Sequence, residues 1–178
     1  LSATILAHNC YWYMLRNCTS LVQAHELPAT TLANYCYSNM FSGCASLTQA
    51  PELPATTLSN NCYENMFSGC ASLTQAPELP ATTLADRCYY RMFQNCTSLN
   101  QAPELPATTL ESACYYAMFS GCTSLNYIKC LATDISAEYC TLAWTTDVSD
   151  QGDFYTPPVT IWETNSTDGI PIGWTRHD

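Results

Sequence analysis

Cysteine is the residue with the most chemistry to offer in this chain, and its spacing is regular. Cys10, Cys36, Cys62, Cys88, Cys114 and Cys140 form one series, Cys18, Cys44, Cys70, Cys96 and Cys122 a second, and Cys130 stands apart. Zinc sites draw on close pairs of the C-x-x-C kind with histidine nearby, a pattern absent here, so no metal is expected. Disulfides within a unit meet a geometric objection if the intervening segment is helical. Positions eight apart then lie ~12 Å apart along the axis, beyond the ~7 Å that bridged Cα atoms allow. Bridges between units, such as Cys18 with Cys36, escape that objection but strand Cys10 and one terminal cysteine. The two series therefore read as free thiols filling core positions as small hydrophobes. Cys130 and Cys140 are the pair singled out as a possible disulfide, because Val148 stands where the last unit would carry its second cysteine.

The other reactive side chains point away from catalysis. His8, His25 and His177 lack a nucleophile motif or a carboxylate at telling spacing, and no G-x-S-x-G elbow occurs. No enzyme activity and no cofactor are expected. Glu26, Glu52, Glu78 and Glu104 recur at one position, where stacking would set like charges ~5 Å apart. They read as solvated turn-edge carboxylates, since a calcium site gathers six or more oxygens and nothing else acidic repeats.

These residues are positioned by a repeat. Leu-Pro-Ala-Thr-Thr-Leu occurs at 27–32, 53–58, 79–84 and 105–110, with weaker copies at 1–6 and 131–136. A fixed 26-residue period implies units that bury their apolar faces by stacking on one another. Residues 1–156 divide into six such units, the last degenerate and capping, and 157–178 form a C-terminal cap or tail. Within a unit the constant residues are Leu58, Cys62, Tyr63, Met66, Phe67 and Cys70, whose steps of four and one suggest one face of a helix over about 59–68. Thr56 or Thr57 would cap it, and Gly69, Asn17 and Asn95 suit the left-handed residue that ends it. Ala71–Ala76 then reads as a short strand stopped by Pro77. Strand plus helix in strict repetition gives an α/β repeat, with a parallel sheet on one side and short helices on the other.

The run Met66-Phe-Ser-Gly-Cys70-Ala-Ser-Leu73, followed by Ala76, Leu79-Pro80, Leu84 and Cys88-Tyr89, resembles the BspA-type leucine-rich repeat. The resemblance covers residues 1–156. It implies a right-handed leucine-rich-repeat solenoid exported to the surface of anaerobic gut or oral bacteria, where relatives are regarded as adhesins. Met in place of the small residue before Phe, Cys62 in place of Ile and Tyr63 in place of Gly are departures from that pattern.

Binding residues are sought where the units disagree. On the presumed helix face these are Trp12, Tyr13, Arg16, Tyr35, Arg87, Tyr90, Arg91 and Tyr116, types that recognition surfaces favour. The rival sheet face carries Val22, Thr48, Thr74, Asn100 and Asn126 at its free position. With five Lys and Arg against fifteen Asp and Glu, and a net charge of -10, nucleic acid is not an expected partner. No stretch approaches the ~20 apolar residues of a membrane span. In the tail, Val159–Trp162 and Ile170–Trp174 suggest two short strands around a polar turn, laying Trp162 and Trp174 over the end of the core or offering them to a sugar. The N-terminus shows no comparable cap, so unless residues 1–6 begin an atypical coil, further repeats or an anchor are expected before Leu1. The functional expectation is an extracellular, non-catalytic adhesin-like module for a host or neighbouring-cell protein or glycan. The alternative is a passive stalk within a larger surface protein.

Overall fold

A computed structural model describes residues 3–158 and 162–178. Leu1, taken as the first unit position, and Val159–Ile161 of the suggested tail strand lie outside the described residues. The 26-residue units are coils stacked along one axis, joined by parallel bridges between like positions such as Thr31 with Thr57 and Gln23 with Gln49. Among the described residues there is no helix. Extended structure is limited to β1 (Tyr127–Lys129), β2 (Asp153–Tyr155) and β3 (Thr175–His177), which pair in parallel in that order. The expected α/β leucine-rich-repeat solenoid, with helices on one side, is therefore not what this chain forms.

The segment read as a helix is a ribbon of successive four-residue turns. In the third unit Cys62, Glu64, Met66, Ser68 and Cys70 donate their N–H groups three residues back, at 3.0–3.3 Å. The alternate residues Asn61, Tyr63, Asn65, Phe67 and Gly69 donate instead to Asp86, Cys88, Tyr90, Met92 and Gln94 of the next coil, at 2.7–3.0 Å. Because the period is even, odd and even positions keep the same roles from coil to coil. In this unit every backbone donor from Asn61 to Cys70 is satisfied, half within the coil and half along the stack, which removes the need for an α-helix. In the second unit one peptide departs from this scheme, as Tyr37 donates backwards to Cys10.

Every fourth residue of the ribbon takes positive φ: Asn61, Asn65 and Gly69 in the third unit, Arg87, Arg91 and Asn95 in the fourth, and Ala113, Ala117 and Gly121 in the fifth. Positive φ at the third residue of a turn favours Gly and Asn, and none of these residues is β-branched. The constant core positions recur at four, at 58, 62, 66 and 70, whereas an α-helix turns 100° per residue and would drift ~40° at each such step. The turn ribbon keeps them in line. Thr56 and Thr57 do not cap a helix; both donate to the Thr30 carbonyl of the preceding coil. Gly69, Asn17 and Asn95 do take positive φ, as members of the ribbon. At Gly43, which takes φ 76°, a Cβ would overlap the exposed Asn17 carboxamide, so a side chain there requires Asn17 to shift.

Like residues stack inside the coils. Phe41, Phe67, Phe93 and Phe119 lie 5.6–5.8 Å apart between centroids and within 9° of parallel. Tyr37, Tyr63, Tyr89 and Tyr115 form a second ladder at 5.9–6.1 Å. Offset stacking at this spacing adds about 0.5–1.5 kcal/mol per pair beyond the area buried. The Met and Cys columns fill the space around these rings, and residues 36, 40, 44, 62, 66, 70, 88, 92 and 96 are fully enclosed.

At the C-terminal end Trp144, Trp162 and Phe154 pack over Phe119 and Tyr115. Trp144, Trp162 and Trp174 are buried, and their indole N–H groups donate to the Gly169, Ala132 and Ser149 carbonyls respectively, at 2.8–3.2 Å. The tail differs from the hairpin suggested by sequence. Thr164 pairs with Ile170 in a single bridge, and the strand proper is β3, which continues the sheet of β1 and β2 beyond Trp174.

Candidate functional site

The turn ribbon carries the residues singled out as a helix face, and the left-handed positions within it project several of them together. Arg87 and Arg91 occupy positive-φ positions one turn apart in the fourth coil. Between them Tyr90 stacks on Tyr116 of the fifth coil, with centroids 4.8 Å apart and planes 9° from parallel. The Arg87 guanidinium lies 5.6 Å from the Tyr90 centroid, and that of Arg91 lies 5.0 Å from Tyr90 and 5.5 Å from Tyr116. Such contacts hold a cation in place without neutralising it. Glu64 stands on the neighbouring coil, half-buried, with Asn65 donating to its carboxylate at 3.4 Å. Burial pushes the Glu64 carboxyl above its ordinary value, and Arg87 and Arg91 offset only part of that effect.

A smaller cluster of the same kind lies on the first coil. Trp12 and Tyr13 meet at 4.8 Å, and Arg16 lies 4.9 Å over Tyr13. Trp12 is 49% exposed. Tyr35 is exposed on the second coil, and among the described residues no ring contact joins it to either cluster. The eight residues thus form two aromatic–arginine groups and one outlier.

Val22, Thr48, Thr74, Asn100 and Asn126 are all exposed in a line along the stack. Thr48 donates to Val22 and Asn126 to Asn100 through the backbone. Beside Asn100 runs an open groove of about 580 Å³ whose polar lining includes Gln75, Glu78, Gln101 and Glu104. The Glu column is exposed throughout, and Glu104 pairs with Lys129 at 2.8 Å. Among the described residues no three His, Cys, Asp or Glu side chains gather to hold a metal.

All twelve cysteines are free thiols, so the Cys130–Cys140 bridge is not formed. Cys140 donates instead to the Ile135 carbonyl at 3.2 Å. The second series has a shared bond: Cys44, Cys70, Cys96 and Cys122 donate to Leu15, Phe41, Phe67 and Phe93 of the preceding coil at 3.0–3.2 Å. Burial pushes the thiols of Cys62, Cys70, Cys122 and Cys130 up to about 12. A thiolate is the nucleophilic form, so these sulfurs are inert at neutral pH. Cys18 is exposed and Cys10 half-buried.

Sequence spacing did not reveal the approach of His177 to Asp153, whose Oδ1 lies 2.7 Å from Nε2. The ring also stacks on Tyr155 at 4.4 Å. Register between β2 and β3 creates this pair, and no hydroxyl or thiol is bonded to the ring among the described residues. The tryptophans of the tail present no open face to a sugar, because their rings are buried in the end of the stack.

No family model, no curated protein and no solved structure matches this chain. Among the described residues no helix is long and apolar enough to cross a membrane.

Proposed function

We propose that this chain is a non-catalytic, extracellular adhesin-like module that binds a macromolecule of a host or neighbouring cell through the edge of its turn ribbon. The observation that carries this reading is the Arg87–Tyr90–Arg91–Tyr116 cluster. It places two cations and two stacked aromatics on an outer edge of a protein whose net charge is -10. Arg and Tyr are enriched at the energetic centres of recognition surfaces, because they contribute large contact area and directed bonds, the tyrosine ring at low entropic cost. The cluster is also specific to its coils, since the same positions carry Ser38 and Asn39 in the second unit.

The test is a binding screen of the purified chain against extracellular-matrix proteins and mucin, run beside a Tyr90→Ser/Tyr116→Ser variant with unchanged circular dichroism. Binding lost in the folded variant supports the ribbon edge. Binding retained there and lost in an Asn100→Ala/Asn126→Ala variant moves the site to the opposite face. No partner at concentrations well above micromolar leaves the stalk as the better account.

A further inference from the structure

The ionic partners of the basic residues divide into two groups. Lys129 pairs with Glu104 at 2.8 Å and Arg176 with Asp178 at 2.7 Å. Arg16, Arg87 and Arg91 have no carboxylate within 4.0 Å among the described residues, and all three lie on the ribbon edge. The Nε of Arg91 is buried with no acceptor. A buried donor left unpaired is costly, and a guanidinium held only by ring faces keeps its fork of N–H groups available. Glu64 interacts with both guanidinium groups at longer range, yet it lies outside ion-pair distance and its carboxyl is raised rather than lowered.

We infer, on the basis of the ribbon-edge reading above, that Arg87 and Arg91 receive one isolated carboxylate from a segment of a partner protein that carries no other negative charge. Arginine matches a carboxylate with two parallel N–H···O bonds, a geometry that lysine or a neutral amide cannot reproduce. A polyanion is disfavoured. Affinity for one rises with the number of cations engaged, and only two are clustered here on a chain that repels anions through its net charge of -10. A single carboxylate avoids most of that repulsion, since surface charges beyond a Debye length of ~8 Å are screened at physiological salt. An acidic sugar is disfavoured for a different reason. Pyranose rings bind on open aromatic faces, whereas Tyr90 and Tyr116 each turn one face to the other and Arg87 lies over Tyr90.

The direct experiment follows the arginine Nε–H signals of the full chain by ¹⁵N NMR at fixed ionic strength. The probes are N-acetyl-glutamate methylamide, its glutamine counterpart, methyl glucuronide and sodium sulfate. The glutamate probe is expected to shift the Arg87 and Arg91 signals saturably, with a Kd in the millimolar range, and the glutamine probe to leave them in place. Arg87→Gln and Arg91→Gln should each abolish the response of the remaining arginine to saturation, and Glu64→Gln should tighten it several-fold by removing a neighbouring negative charge. Equal shifts with glutamine, tighter binding of the glucuronide, or equal binding of sulfate would each overturn the assignment of a protein carboxylate. Absence of any shift would overturn it as well. In that event the Tyr90→Ser/Tyr116→Ser screen still decides independently whether the edge binds a partner.

Discussion

Replacing Ala143 by glycine distinguishes the turn ribbon from a helix by the sign of its effect. Ala143 is half-buried and sits at φ 57°. A Cβ in the left-handed region costs about 1–2 kcal/mol, which glycine relieves. Against this stand about 0.5–1 kcal/mol of extra chain entropy lost on folding and a few tenths from ~0.8 kcal/mol for a fully buried methyl. The expected balance is a gain of roughly 0.5 kcal/mol. In a helix interior the same change costs about 0.8–1.0 kcal/mol. For a chain of this size a change of 1 kcal/mol moves Tm by about 2–4 °C, so the ribbon predicts a rise of about one degree and a helix a fall of two or more. Ala71, of similar exposure but without positive φ, is the control, and Ala71→Gly should destabilise by about 0.5–1 kcal/mol. Calorimetry on both variants is sufficient. Equal losses of stability at the two sites would refute the left-handed ribbon.

Three further outcomes follow from the core. Phe67 is fully enclosed between Phe41 and Phe93, so Phe67→Ala should cost about 3–5 kcal/mol by denaturant titration. Tyr89 buries a hydroxyl with no partner, so Tyr89→Phe should raise the urea midpoint, by up to the ~1–3 kcal/mol of an unsatisfied group; a lower midpoint would show that the hydroxyl is bonded. The raised thiols set an alkaline limit. Unfolded cysteines ionise near their ordinary value of 9.0, and buried Cys62, Cys70, Cys122 and Cys130 only at about 12. Their stabilisation is complete below pH 9 and declines as pH rises towards 12, at roughly 1.4 kcal/mol per pH unit for each thiol. Urea midpoints measured from pH 8 to 10.5 should fall accordingly, and Cys70→Ala/Cys122→Ala should flatten the slope. At neutral pH, native alkylation followed by mass spectrometry should mark Cys18 first and Cys10 more slowly.

The sequence alone determined which residues share an environment. A strict period forces like residues to stack, so the Phe, Tyr, Met and Cys columns could be read without coordinates, as could the outward placement of Trp12, Tyr13 and Asn100. Backbone conformation was open to the wrong reading because steps of four and one fit a helix face over a short span. The available signal was Asn61, Asn65 and Gly69 at intervals of four, together with the absence of β-branched residues there. Asn and Gly suit positive φ, whereas a helix has no use for either at that spacing.

Tertiary structure decided what depends on a neighbouring coil. Half of the ribbon's N–H groups are satisfied by carbonyls 25 residues ahead, a bond that no local propensity encodes. The meeting of Tyr90 with Tyr116, the capture of both rings by Arg91, and the pairing of His177 with Asp153 likewise require the register between coils. Periodicity names the columns, but only the stacking of one coil on the next sets the distances across them, and at those distances side-chain identity becomes a site.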